Sequence, residues 1–168
     1  MIFTGTYENK VDAKGRVSVP APFRALISGS ASRELALFPS FRFSCLEGMS
    51  FDTLTALSQQ AGVSQVNLFE ASRPNRFSLL FRSTQRLHID DAGRVSLPDS
   101  LITQAGLSKT AVFTGEGHSF LLWSPEAHAA QVQADMAALA AESEADLSVD
   151  FALVAKEAGQ ATDKGGRA

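Results

Sequence analysis

The chain has 168 residues, 45% of them hydrophobic and 20% charged, with a formal net charge of −3 from 15 Lys and Arg against 18 Asp and Glu. That composition and length suit a globular protein, one domain or two small ones, able to build a core without disulfides or metals. A uniformly basic coat for nucleic acid is excluded, a single cysteine (Cys45) excludes an internal disulfide or a multi-cysteine zinc site, and no apolar run approaches the roughly 20 residues of a membrane span.

Tyr7, Asn9 and Val11 lead into Asp12-Ala13-Lys14-Gly15-Arg16, and Val17, Ser18 and Val19 alternate beyond it. Asp bonds its own backbone two residues on, and Gly supplies the positive φ that other residues resist. The pattern predicts a β-hairpin with Arg16 at or just past its tip. Pro20 and Pro22 end the strand and begin a short helix, where a missing N–H costs nothing; Phe23 to Ile27 form its amphipathic stretch. Leu35–Phe38 and Phe41–Leu46 read as two strands joined at Pro39-Ser40. Phe51, Leu54 and Leu57 give a helical stripe, and residues 65–82 predict two helical pieces with a break near Pro74.

The turn motif then returns. Val11 to Pro20 recurs as Ile89-Asp90-Asp91-Ala92-Gly93-Arg94-Val95-Ser96-Leu97-Pro98, an offset of 78 residues (Asp12 against Asp90). The Asp, Gly, Arg, Val, Ser and Pro positions are identical. Leu101 to Ala105 follow as a second amphipathic stretch. Ala111–Thr114 and Ser119–Trp123 follow as strands joined through Gly115-Glu116-Gly117. A whole supersecondary unit is therefore used twice, over residues 1–76 and 77–158. Two copies are too few for a solenoid, so each half is expected to complete the other's core about a pseudo-two-fold axis. Ser124-Pro125-Glu126 starts a helix that runs to about Ser143. Asp146 starts a last amphipathic helix carrying Leu147, Phe151 and Val154, and residues 159–168 have nothing to bury and are expected to be a disordered tail.

Charge is unevenly spread. Residues 1–94 hold 11 Lys and Arg against 8 Asp and Glu, whereas residues 95–168 hold 4 against 10. One end can attract an anionic polymer while the other repels it. A two-stranded β-ribbon fits the major groove of B-DNA. Arg16 on such a ribbon can reach base edges, while Lys10, Lys14 and Arg24 can meet phosphates. Asp12, Gly15, Asp90 and Gly93 read as structural turn residues, and Arg16 and Arg94 could instead pair with those carboxylates. Arg73, Arg76, Arg82 and Arg86 form a second basic cluster, either a solvated helix face or a lining for DNA or a subunit contact.

Enzyme readings find little support. His88, His118 and His128 lack metal-ligand spacing, and Cys45 in its apolar run reads as a buried inert thiol. Gly115-Glu116-Gly117-His118-Ser119 lacks the third Gly and the following helix of a phosphate loop. The sequence predicts no catalysis, cofactor, metal or small-molecule substrate. Two classes remain: a sequence-specific DNA-binding regulator, or a self-assembling scaffold whose hairpins bind other subunits.

The opening Gly5-to-Pro20 run together with the second Asp-x-x-Gly-Arg closely resembles the MraZ family over residues 1–155. The resemblance implies an α+β fold of tandem AbrB-like swapped-hairpin β-barrel halves with peripheral helices. It implies ring-shaped homo-oligomers that bind double-stranded DNA at promoter direct repeats and regulate, predominantly repress, the division and cell-wall gene cluster. It also implies a cytoplasmic, nucleoid-associated location. The family's Asp-x-x-x-Arg signature falls on Asp12 and Arg16, and again on Asp90 and Arg94. Its basic residue before Gly falls on Lys14; in the second copy that position is Ala92, preceded by Asp91, so the second hairpin is less cationic. One hairpin offers few charges, but a ring repeating the same tip gains avidity of about 10²–10⁴-fold without new contacts.

Overall fold

The computed structural model describes residues 2–28, 33–64 and 76–142. Two compact units divide the chain, Met1–His128 and Ala129–Ala168. In chain order the elements are β1 (Thr6–Lys10), β2 (Arg16–Ser18), α1 (Ala21–Ser28), β3 (Glu34–Pro39), β4 (Leu46–Ser50), α2 (Phe51–Ser64) and α3 (Arg76–Ser83). They continue as β5 (Gln85–His88), β6 (Arg94–Ser96), α4 (Asp99–Gln104), β7 (Thr110–Gly115), β8 (Phe120–Trp123) and α5 (Pro125–Ala140).

The class is α+β, and the halves exchange strands. A six-stranded sheet runs β1-β7-β8-β4-β3-β5, and β2 and β6 form a separate ribbon. All pairings are antiparallel. The order is symmetric about the β8–β4 contact. The first half's β1 edges the second half's β7, with Tyr7 opposite Phe113. The second half's β5 edges the first half's β3, with Leu87 opposite Leu35. The tandem swapped arrangement thus appears in the register itself.

Two expectations change. The strands flanking each turn do not zip into a hairpin. Val11 and Val17 form one isolated bridge, after which β1 leaves for β7 and β2 for β6. The reason is burial: on the β2–β6 ribbon, Val17 and Val95 turn inward and are almost fully enclosed. Secondly, the strand expected over Phe41–Leu46 starts at Leu46. Residues 41–45 bend instead, closed by the Ser40 N–H donating to the Cys45 carbonyl at 2.9 Å. The alternating Phe41 and Phe43 have separate duties there. Phe41 is half exposed and stacks on Phe38 at 6.3 Å, while Phe43 packs on Trp123 at 5.5 Å. The actual strand, Leu-Glu-Gly-Met-Ser, has weak intrinsic β preference but is paired on both sides, by β3 and β8.

The helices follow the sequence signals. Pro20 and Pro98 each accept a hydrogen bond that opens the following helix, from Arg24 N–H at 2.9 Å and Ile102 N–H at 3.1 Å. α2 starts where the Phe51 stripe begins, and the buried Ser50 hydroxyl caps it by accepting from Thr53 N–H. α5 ends at Ala140, near the expected Ser143. The expected break at Pro74, the helix from Asp146 and the tail at 159–168 lie outside the described residues. Cys45 is buried, and burial pushes its thiol up to about 12. Among the described residues, no helix is long and apolar enough to cross a membrane.

The main core is built jointly. Phe3, Val17, Phe23, Ile27 and Leu35 from the first half meet Val95, Leu97, Leu101, Phe113 and Phe120 from the second. Phe23 on α1 is fully enclosed, with ring centroids 5.1 Å from Phe3, 5.3 Å from Tyr7 and 5.5 Å from Phe120. Phe23→Ala is expected to cost about 3–5 kcal/mol in urea unfolding, because it removes the ring on which both halves converge.

Candidate nucleic-acid interface

Each Asp-x-x-Gly-Arg segment closes on itself in the same way. In the first turn Asp12 Oδ1 accepts from the N–H groups of Lys14 and Arg16, both at 2.9 Å, and Oδ2 accepts from Arg16 Nε at 2.7 Å. The Gly15 N–H donates to the Asp12 carbonyl at 3.0 Å. In the second turn Asp90 Oδ1 accepts from Arg94 N–H at 2.9 Å, and Oδ2 accepts from Arg94 Nε at 3.1 Å. Both carboxyls are held below their ordinary value of 3.8, chiefly by the backbone N–H of the arginine, with its side chain adding to the effect against some desolvation. These pairs are partly solvated and contribute little net stability. Their chemical consequence is orientation. The carboxylate takes the Nε edge of each guanidinium and leaves the paired terminal nitrogens for an outside acceptor.

The glycines dock each turn on the opposite half. Gly15 has φ +72° and Gly93 φ +77°, the left-handed region. The Gly15 carbonyl accepts from Leu97 N–H, and the Gly93 carbonyl from Val19 N–H, both at 2.9 Å. A Cβ on Gly15 would lie 2.9 Å from Ile102 Cδ1 and 3.2 Å from the Leu97 carbonyl oxygen. A Cβ on Gly93 would lie 2.8 Å from Arg24 Cδ.

The β2–β6 ribbon then brings the two motifs together. Arg16 pairs with Ser96 and Ser18 with Arg94, around the central Val17–Val95 pair. Because alternate residues face opposite sides, Arg16, Ser18, Arg94 and Ser96 share the outer face and the valines the core. The two arginines sit on one diagonal, about 7–8 Å apart at that register. Ser18 and Ser96 are exposed, and sequence reasoning did not select them; their alternation with Val17 and Val95 was the available signal.

The other selected cations distribute unevenly. Lys14 is exposed on the first tip, and Lys10 is exposed at the end of β1. Arg24, which the sequence groups with the first motif, lies instead against the second turn at Gly93. Arg33, also not selected, joins that turn with Nη1 3.6 Å from Asp91 Oδ1. Of the second basic cluster, Arg86 is held by Glu34, its Nε 2.8 Å from Oε2, and by the Phe51 ring at 4.3 Å. The Arg82 Nε donates to the Ser78 carbonyl at 3.2 Å. Arg73 and the Arg76 side chain lie outside the described residues. Among the described residues no group of three or more His, Cys, Asp and Glu is placed to hold a metal ion.

Comparison with known proteins gives a consistent picture. The sequence matches the family model described as "MraZ protein, putative antitoxin-like" in two stretches, residues 2–71 and 80–150. It is similar to the transcriptional regulator MraZ of Rhodospirillum rubrum, 39% identical over 125 residues, covering 74% of this chain and 81% of the relative. It is also similar to that of Pelagibacter ubique, 36% identical over 126 residues, covering 75% of this chain and 80% of the relative. The regulator of the same name from Gluconacetobacter diazotrophicus is 34% identical over 129 residues, with 75% and 80% covered.

Gly15→Ala forces a side chain into the left-handed region and against Ile102. A loss of about 1–2 kcal/mol is expected from the backbone conformation alone, read by chemical denaturation. The carboxylates give a pH signature. Their folded pKa values lie below the unfolded value, so their stabilisation is complete above about pH 4 and lost as pH falls through the depressed values. Unfolding measured from pH 6 to pH 2 should therefore decline more steeply for the wild type than for Asp12→Asn combined with Asp90→Asn.

Proposed function

The chain belongs to the MraZ family, and from that premise we propose that it is a transcriptional regulator that binds promoter DNA sequence-specifically through the β2–β6 ribbon. The observation that carries this reading is the shared outer face of Arg16 and Arg94, each with its Nε edge fixed by a carboxylate. An arginine so held loses less freedom on binding, and its free fork matches the O6 and N7 acceptors of guanine. Lys10 and Lys14 act on phosphates, setting register without reading sequence. Asp12, Gly15, Asp90 and Gly93 set the geometry. The two repeats, residues 1–76 and 77–158, contribute one arginine each to a single composite surface.

A single ribbon neutralises only a few phosphates and binds weakly at physiological salt. Ring-shaped homo-oligomers engaging several promoter direct repeats supply the missing affinity through avidity. The targets are the division and cell-wall cluster, the effect is predominantly repression, and the location is the cytoplasm, on the nucleoid. No catalytic step belongs to this reading.

The self-assembling scaffold remains as the second reading. It is favoured by large apolar side chains left exposed around α3, namely Phe41, Phe77, Leu79 and Phe81.

A salt-titrated binding assay on duplex DNA from upstream of the chain's own gene, against a scrambled duplex, separates the two. Wild type should prefer the upstream DNA. Arg16→Ala should lose about 1–3 kcal/mol of that preference, roughly 5- to 150-fold, while light scattering finds its assembly unchanged. A correctly assembled wild type without preference favours the scaffold.

A further inference from the structure

The two turns differ in where their unpaired cation comes from. The 78-residue offset equates Lys14 with Ala92 and Ile102 with Arg24. On the first turn the cation stands at the tip, as Lys14, and the residue backing Gly15 is the apolar Ile102. On the second turn the tip residue is Ala92, and the residue backing Gly93 is Arg24. Strand exchange makes this possible, because α1 of the first half packs behind the turn of the second. The lysine missing from the second motif is matched by an arginine 68 residues upstream of it (Arg24 against Ala92).

The surroundings of Arg24 leave its charge unused. Among the described residues no hydrogen bond or ion pair engages its guanidinium. The nearby carboxylates have other partners: Asp90 holds Arg94, and Asp91 faces Arg33. Arg33 adopts φ +48°, in the left-handed region, and its carbonyl accepts from Ile89 N–H at 3.1 Å. Between Arg24, Arg33, Asp90, Asp91 and Gly93 lies an open cleft of about 250 Å³. That is ample room for a tetrahedral oxyanion. An unpaired guanidinium at a polar cleft suits one, since its planar fork meets two phosphate oxygens at once.

We propose that Arg24 is the phosphate contact of the second turn, standing in for the lysine that Ala92 replaces, and that its ligand is a DNA backbone phosphate beside Arg94. Arg33 supports it by neutralising Asp91, which would otherwise repel that phosphate. The assignment rests on the DNA-binding reading above. It restores the balance that the sequence lacks, with one specifying arginine and one phosphate-binding cation on each turn.

Salt-dependent binding of the full-length protein to the upstream and scrambled duplexes tests the assignment. Arg24→Ile copies the apolar backing of the first turn. It should weaken both complexes in the same proportion and reduce the slope of log K against log salt by about 0.9 for each chain in contact. Adding Ala92→Lys to Arg24→Ile moves the cation to the tip and should restore slope and affinity. Arg24→Lys should keep the slope. An unchanged slope in Arg24→Ile, no recovery with Ala92→Lys, or a slope lost equally in Arg24→Lys overturns the assignment while leaving wild-type DNA binding intact. A wild type that binds neither duplex overturns the DNA reading and this assignment with it.

Discussion

Two backbone hydrogen bonds, each 2.9 Å long, tie the molecule together: Leu97 N–H to the Gly15 carbonyl, and Val19 N–H to the Gly93 carbonyl. They are one contact made twice, and each runs from a turn in one half to the strand exit in the other. They require each glycine to present its carbonyl across the interface from the left-handed region, with no Cβ in the way. Once both form, β2 and β6 lie side by side, Val17 and Val95 enter the common core, and Arg16 and Arg94 are left on one outer face. Each half buries its valine through the other half and not through a local hairpin, so the interface and the candidate site rest on the same contacts.

Within each motif the work is divided by chemistry. The aspartate spends one oxygen on backbone N–H groups and the other on the arginine's Nε. These are partly exposed pairs, where Coulomb attraction is screened, so their effect on global stability is small. What they change is the freedom of the arginine. A long side chain held at its Nε loses less entropy when its terminal nitrogens meet a base or phosphate. The depressed carboxyl pKa values express the same geometry from the acid's side.

Duplication has not left the halves equivalent. The first turn keeps its cation at the tip over an apolar support, and the second has an acidic residue near its tip over a charged support. Their outward arginines remain matched while the neighbouring charges differ. The candidate surface is symmetric in its two arginines and asymmetric in the charges beside them. Among the described residues of the first unit, the large apolar side chains that remain exposed, apart from Ile2, are Phe41 and, on α3, Phe77, Leu79 and Phe81. In the second unit Val132, Met136 and Leu139 form an exposed stripe along α5.

The sequence by itself determined the parts set by local chemistry. The Asp and Gly of each turn, the proline-led helix starts, the α2 stripe and the alternation of β2 are all encoded within a few residues, and the 78-residue repeat announced two equivalent halves. Of the candidate site, the turn residues could be picked out for the same reason, since a turn advertises its own side chains, whereas Ser18, Ser96 and Arg33 were not picked out and Arg24 was grouped with the wrong turn. Only the tertiary structure decided which strand each partner would choose. Val11 and Val17 make one bridge and part, because edge strands and buried valines find more enclosure across the two halves than within a hairpin. The Leu46–Ser50 strand, poor in β-formers, exists because it has neighbours on both sides. Arg24 moved from the first motif to the second for the same reason. Sequence proximity predicts contact only where the chain folds back on itself, and here the favourable burial lay across the exchange.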